Sequence, residues 1–180
     1  TVNAMMPYAE SLERFAEWFA QLLAESLGKD GRGQLPVRAL GATDQHSQLQ
    51  RYRGGPRDTV VTVVEPGERP SCPVPESTGS DSTTAEALPE TLPGGDLTDV
   101  MDAELEGTVA SLVAAERPVI RIEIDRVDAA SVGALCYGME AACVMAGELA
   151  GTNPFDQPAV EGGKEAAEQL LAGESTAALD

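Results

Sequence analysis

Residues 8–27 form the most regular amphipathic segment of the chain. One arc of a helical projection carries Leu12, Phe15, Phe19, Leu22, Leu23 and Ser26. This spacing predicts a helix with one buried face, and Gly28 suits the position just after its end. The residues before 8 are interpreted as the approach to this helix.

Short runs of β-branched and apolar residues alternate with further helical patterns. Residues 59–64 (TVVTVV) are typical of a central strand covered on both faces, and 118–124 (PVIRIEI) and 37–40 predict two more strands. Helices are predicted over residues 44–52, 97–115, 131–150 and 158–172. Alternating strands and helices favour an α/β fold with a parallel sheet flanked by helices.

The composition changes sharply between residues 65 and 96, where Pro, Gly, Ser, Thr and acidic residues replace any periodic pattern. We interpret this segment as a long acidic surface loop. The sequence therefore predicts one α/β domain over residues 1–150. Residues 151–180 would add a turn, a helix and a tail.

Charge narrows the choice of partners. The chain has 30 Asp plus Glu against 12 Lys plus Arg, a formal charge of -18. A polyanionic surface disfavours nucleic acid and anionic membranes as partners. The acids are spread along the chain, Lys29 and Lys164 are its lysines, and aromatic residues make up 4%. This composition predicts adaptation to molar salt, where charge repulsion is screened.

The cysteines predict neither a metal centre nor a disulfide framework. Cys72, Cys136 and Cys143 have no metal-type spacing and fit free thiols in a reducing compartment. No uninterrupted run of about 18 apolar residues and no basic, apolar leader is evident. We therefore expect a soluble, cytoplasmic protein without a metal or another cofactor.

A first motif with candidate chemistry is GTNPFDQPAVEGGK, residues 151–164. Asp156 or Gln157 is placed to cap the helix that Pro158 opens, which would direct Gln157 and the first-turn N–H groups at a ligand. Lys164 borders the apolar stripe of that helix. By periodicity alone it is a solvated side chain, and the sharper alternative is a cation held over a ligand.

A second motif, QLLAESLGK, ends the first predicted helix. Glu25 lies at the border of its polar and apolar faces, in the last turn, where the helix dipole disfavours a negative charge. In a chain this acidic, a solvated carboxylate is the ordinary interpretation of any one glutamate. The unfavourable position of Glu25 is what makes a functional role worth testing.

The third motif, GATDQHSQ, follows a predicted strand and contains His46, the single histidine of the chain. A lone histidine is more often structural or solvated than catalytic. His46, however, follows the carboxyl end of a strand, which is where ligands bind in open α/β sheets.

In their order along the chain, the three motifs resemble those of the phosphoglucose isomerase family, from about residue 5 to 171 with a break at 65–96. One departure is Ala159, where the family more usually has Gly. The resemblance implies a sugar isomerase (SIS)-like domain with a C-terminal helical arm. The implied activity interconverts glucose 6-phosphate and fructose 6-phosphate through a cis-enediol(ate), without metal.

The resemblance also implies roles for individual residues. Glu25 would be the base that moves a proton between C2 and C1, and His46 would open the pyranose ring. Gln157 and Lys164 would contact the sugar phosphate, with Lys164 also assisting ring opening. The family acts as a homodimer whose neighbouring subunit supplies the histidine, so the implied active site is shared between subunits.

The Ser/Thr-rich phosphate loop and the enediolate-stabilising Arg of the family lie upstream of these motifs, and no segment here matches them. We therefore expect a C-terminal portion that turns over little by itself. Three alternatives stay open. They are a non-catalytic sugar-phosphate-binding SIS domain, an isomerase that also accepts mannose 6-phosphate, and an acidic structural module with accidental motifs.

Overall fold

A computed structural model describes residues 1–74 and 94–173 as a four-stranded parallel sheet with helices on both faces. Its elements in chain order are β1 Val2–Pro7, α1 Glu13–Leu27, β2 Leu35–Arg38, α2 Gln45–Gly54, β3 Thr59–Pro66, α3 Leu97–Ala114, β4 Val119–Ile124, α4 Ala129–Ala150 and α5 Pro158–Leu171. The strand order is β2-β1-β3-β4. The predicted fold class is confirmed, while most of the predicted loop at 65–96 lies outside the described residues.

The first strand was missed. Val2–Pro7 pairs in parallel with both β2 and β3, so a segment interpreted as the approach to a helix is a central strand. Its residues VNAMMP include few good strand formers, and burial between two neighbouring strands decides its conformation. A 3₁₀ turn at Glu10–Leu12 follows, so α1 begins at Glu13 and not at residue 8.

Alternation along the strands divides the core between the two faces of the sheet. Ala4, Met6, Val61 and Val63 pack with Tyr52 of α2 and with Leu105 and Leu112 of α3. Met5 and Val64 point to the other face, which packs with Phe15 and Phe19 of α1 and Leu135 of α4. Helices α1 and α4 therefore share one face, and α2 and α3 share the other.

Helix α4 has a largely uncovered apolar surface. In the part of the chain that the structure describes, it is the one helix long and apolar enough to cross a membrane by length and composition, and 11% of its most apolar window is buried. Tyr137, Met145 and Leu149 are exposed by 74%, 60% and 92%. A patch of this kind usually marks a surface that packs against something else.

Asp96 ties the start of α3 to the segment after β3. Its carboxylate accepts hydrogen bonds from the backbone N–H of Thr98 at 2.8 Å and of Cys72 at 2.9 Å, and also from the Ser71 hydroxyl. The Ser71 hydroxyl and these backbone amides hold the pKa of Asp96 well below its ordinary 3.8. The bonds therefore stabilise the fold above pH 3.8, and this stabilisation is lost as the pH falls below that value.

We expect Asp96→Ala to lower the thermal midpoint at pH 7 by roughly 5 °C, because the helix cap and the Cys72 bond are lost together. Asp99→Ala is the matched control, since Asp99 is an exposed carboxylate in the first turn of the same helix. Thermal unfolding in molar KCl, followed by circular dichroism, measures both. Equal shifts for the two variants would contradict the capping role.

Candidate functional site

Lys29 joins the end of α1 to the turn before α5. Its Nζ donates to the backbone oxygen of Asn153 at 2.5 Å and to Asp156 Oδ1 at 2.6 Å, and the lysine side chain is only 10% exposed. The Lys29 ammonium, and then the Asn153 amide, lower the pKa of Asp156. Two motifs that lie far apart in the sequence are therefore adjacent in the structure.

The turn that carries Asp156 has a defined shape. Gly151 adopts a left-handed conformation with φ 68°, and Thr152 N donates to Gly147 O at 2.9 Å. A Cβ on Gly147 would lie 3.0 Å from Thr152 O and 3.1 Å from Pro154 Cγ, so glycine allows the turn to approach α4 closely. The turn leads directly to Gln157.

Glu25 and Gln157 lie on either side of this junction, and both are exposed. Glu25 is in the last turn of α1, where Gln21 Nε2 donates to its Oε1 at 3.0 Å. Gln157 occupies the N-cap position of α5, but its side chain makes no capping hydrogen bond. The expected side-chain cap is therefore wrong for Gln157. The Asp156 carboxylate bonds to Lys29 and Asn153 instead.

Lys164 lies further along α5, roughly 10 Å from Gln157 at about 1.5 Å per residue. Its Nζ pairs with Glu161 Oε1 at 2.7 Å, one turn back on the same helix, and both side chains are exposed. Among the described residues of this chain, no side chain of α5 is buried. The apolar stripe that was expected beside Lys164 is thus open, with Leu170 and Leu171 exposed.

His46 lies at the opposite end of the sheet. It is an exposed residue in the first turn of α2, which follows the carboxyl end of β2. Because α1 links two parallel strands it runs back along the sheet, and it carries Glu25 roughly 18 Å from its own start. Since α1 and α2 also cover different faces, the structure does not bring Glu25 and His46 of one chain together.

One open cleft adjoins the positions of Glu25 and Gln157, and another lies at the carboxyl ends of the strands. A cleft of about 550 Å³ next to the Glu25 turn is lined by Leu22 and Ser26 of α1, by Tyr137 and Met145 of α4, and by Phe155. Its walls are mostly apolar, and Phe155 is exposed by 79%. The cleft therefore continues the uncovered surface of α4 up to the turn that carries Gln157.

The second cleft, about 750 Å³, lies at the carboxyl ends of β1, β3 and β4, where open α/β sheets commonly bind ligands. Sequence analysis missed its most buried charge, Arg69, which pairs with Asp102 at 2.9 Å. Among the described lining residues, Arg126 is the other cation and Glu10 and Glu68 are the carboxylates, so these charges balance. Within residues 1–74 and 94–173, no cluster of three metal-ligating side chains occurs.

Comparison with known proteins shows which proteins the chain is similar to. No protein-family model matches the chain. A probable glucose-6-phosphate isomerase of Halobacterium salinarum is 61% identical over 96% of this chain and 39% of its own length. The corresponding protein of Haloarcula marismortui is 61% identical over 98% and 39%. The glucose-6-phosphate isomerase of Rubrobacter xylanophilus is 42% identical over 91% and 37%.

Two solved structures share the fold. A hypothetical protein of Thermus thermophilus matches with a TM-score of 0.82 and 36% identity, over 95% of this chain and 41% of that one. A glucose-6-phosphate isomerase of Chlamydia trachomatis matches with a TM-score of 0.74 and 21% identity, over 95% and 34%, which shows the fold alone. The chain thus has the α/β fold of the matching parts of these two structures. Over nearly its whole length, the chain is similar to one part of probable glucose-6-phosphate isomerases.

The chain spans about 39% of the length of the halophilic relatives that it matches. These relatives come from halophilic archaea, as the acidic, lysine-poor composition predicted. The larger part of each relative has no counterpart in this chain.

Proposed function

We propose that this chain supplies the catalytic base and part of the substrate site of a glucose-6-phosphate isomerase. The observation that carries the proposal is the contact between Lys29 and Asp156 at 2.6 Å, which places the helix end bearing Glu25 beside the turn bearing Gln157. The 61% identity to probable isomerases supports the same conclusion. Residues 1–150 would form the SIS-like domain, and residues 151–180 would form the active-site turn, helix and tail.

In this proposal Glu25 removes the proton from C2 of the open-chain sugar and returns it to C1, through a cis-enediol(ate). A carboxylate works as such a base when it faces both carbons and when water is excluded. Glu25 is exposed in this chain, so further polypeptide has to cover it. Gln157 and Lys164 would hold the sugar phosphate, and no cofactor takes part.

Ring opening would use His46 of a second subunit. Glu25 and His46 of one chain lie at opposite ends of the strands and on opposite faces, so one active site that uses both takes them from two chains. We therefore propose a homodimer with shared active sites. The uncovered surface of α4, which is continuous with the cleft beside Glu25, supports packing against more protein.

The partners follow from the same surface and from the net charge. The α4 surface adjoins the turn bearing Gln157 and includes Glu140, which favours a protein partner over lipid. The net charge of -18 disfavours nucleic acid. We propose a cytoplasmic enzyme whose substrate is a sugar phosphate. Acceptance of mannose 6-phosphate is a variant of this function, and a non-catalytic sugar-phosphate-binding domain is the alternative to it.

Activity should depend on the part of the relatives that this chain does not cover. We expect the chain alone, in molar KCl, to isomerise fructose 6-phosphate about 10³-fold more slowly than a chimaera in which it replaces the equivalent segment of the Halobacterium salinarum protein. The isolated chain offers few of the contacts that stabilise a developing enediolate. A coupled assay of glucose 6-phosphate measures both rates, and the unaltered relative is the control.

Normal turnover by the chain alone would contradict this dependence. A folded chimaera without activity would overturn the proposed function itself and would favour the non-catalytic alternative.

A further inference from the structure

We propose that Lys29 is a positioning residue of the isomerase site, which acts through Asp156 to fix Gln157 relative to Glu25. This inference rests on the proposed function, because it assigns Glu25 and Gln157 to one site. Lys29 itself touches protein oxygens and needs no contact with the sugar.

The burial of Lys29 separates this ion pair from an ordinary surface pair. Its side chain is 10% exposed, whereas Lys164, the other lysine, is 59% exposed. An ammonium group this sheltered from water is stable only when protein oxygens replace its hydration. The Asn153 carbonyl and the Asp156 carboxylate are those oxygens, at 2.5 and 2.6 Å.

Lys29 binds a turn that is already braced internally. Asp156 Oδ2 accepts from Asn153 Nδ2 at 2.7 Å, and Asn153 Oδ1 accepts from Phe155 N at 3.1 Å. These bonds join residues 153 to 156 into a unit, so a force on Asp156 is transmitted to its neighbour Gln157. On the other side, Glu25 precedes Lys29 by about one helical turn.

Among the described residues, the other hydrogen bonds between the turn and the rest of the domain hold the start of the turn. Thr152 N bonds to Gly147 O at 2.9 Å, and Arg32 Nη1 donates to Ala150 O at 2.5 Å. Both bonds lie before Asn153. Among the described residues, α5 buries no side chain that would fix Gln157 from its far side. Loss of the Lys29 contacts would therefore release the end that carries Gln157.

A small displacement at this point has a large expected effect on rate. Misplacing a substrate contact by about 1 Å lowers catalysis by roughly 10²-fold when the reacting geometry is held by several groups. A displacement lowers kcat, and not the affinity for the substrate, when it disturbs the geometry of the transition state.

The test introduces substitutions into the chimaera described above and measures kcat and KM separately. We expect Lys29→Met and Asp156→Asn each to lower kcat by about 10- to 100-fold with KM changed less than about threefold. The double variant should be no worse than either single variant, because the two residues act as one pair. Lys29→Arg should restore at least half of the kcat lost in Lys29→Met.

A second measurement does not require activity. In the isolated chain, Lys29→Met should increase the hydrogen-exchange rates of the backbone amides between Asn153 and Gln157 by at least about tenfold. The rates within β3 should stay unchanged, because each segment opens locally with its own free energy. Faster exchange together with an unaltered kcat would overturn the positioning role. Additive effects in the double variant would also overturn it. Unaltered exchange would show that Lys29 does not hold the turn.

The two measurements separate failure of this inference from failure of the proposed function. If the parent chimaera folds without activity, the proposed function fails, and so does the positioning role of Lys29 in catalysis. The exchange experiment then still decides whether Lys29 holds the turn.

Discussion

Glu25→Gln is expected to reduce kcat of the chimaeric isomerase by about 10³-fold, the typical contribution of a general base that transfers the proton in the rate-limiting step. The change removes the proton-accepting charge and keeps the size of the side chain. Gln21, whose amide donates to Glu25 at 3.0 Å, can turn its amide to suit the new group. The expected loss is therefore chemical and not structural.

Glu148→Gln is the matched control for this substitution. Glu148 is also an exposed carboxylate in the last turn of a helix, and α4 ends at the same end of the strands as α1. Each substitution removes one negative charge from a position where the helix dipole disfavours it. We expect Glu148→Gln to change kcat less than about twofold.

Binding distinguishes the two classes of function that the sequence left open. An isomerase with Glu25→Gln should still bind an open-chain sugar-phosphate analogue within about threefold of the parent, because the base contributes mainly in the transition state. Titration calorimetry in molar KCl measures this affinity. Unchanged turnover in Glu25→Gln would remove Glu25 from the mechanism. Loss of binding together with turnover would make Glu25 a substrate contact.

The sequence predicts those helices and strands whose own residues favour the observed conformation. The run TVVTVV gave β3 within two residues, and the strand after Pro118 was found to within one. Both are dense in β-branched or large apolar residues, so propensity and burial agree. Strand propensity did not identify Val2–Pro7, because Asn, Ala and Met have little preference for strands. Its state is set by partners that lie more than 30 residues away.

In the candidate site, too, the features set by neighbouring residues were predicted and the contacts between distant residues were not. Gln157 and Pro158 were correctly placed at a helix start, but the side-chain cap was wrong because Lys29 engages Asp156 from 127 residues away. A local rule cannot anticipate such a contact. One signal was present in the sequence: in a chain with few lysines, Lys29 stands inside a motif. Its function as a link became visible only when the turn was placed beside α1.

The separation of Glu25 and His46 also depends on topology and not on spacing along the chain. The two residues are only 21 positions apart in the sequence. The parallel crossover carries them to opposite ends of the strands and to opposite faces of the sheet. If both residues serve one active site, that site should be restored by mixing subunits that each lack one of the two residues.

Glu25→Gln and His46→Ala chimaeras, each nearly inactive alone, should restore activity when their subunits are exchanged. In a mixed dimer of the proposed kind, the two lesions fall in the same active site, because one chain would supply Glu25 and its partner would supply His46. The other site is then intact. Random exchange should therefore return about a quarter of the parent activity, since half of the dimers are mixed and each has one working site of two.

A second mixture tests whether this gain has the proposed cause. Glu25 and Gln157 flank the Lys29 junction of the same chain. Glu25→Gln mixed with Gln157→Ala therefore leaves a lesion in both sites of every mixed dimer. That mixture should show no gain. Activity is measured before and after subunit exchange in molar KCl. If Glu25 and His46 served one site from one chain, the first mixture would also stay inactive, and the shared site would have to be abandoned.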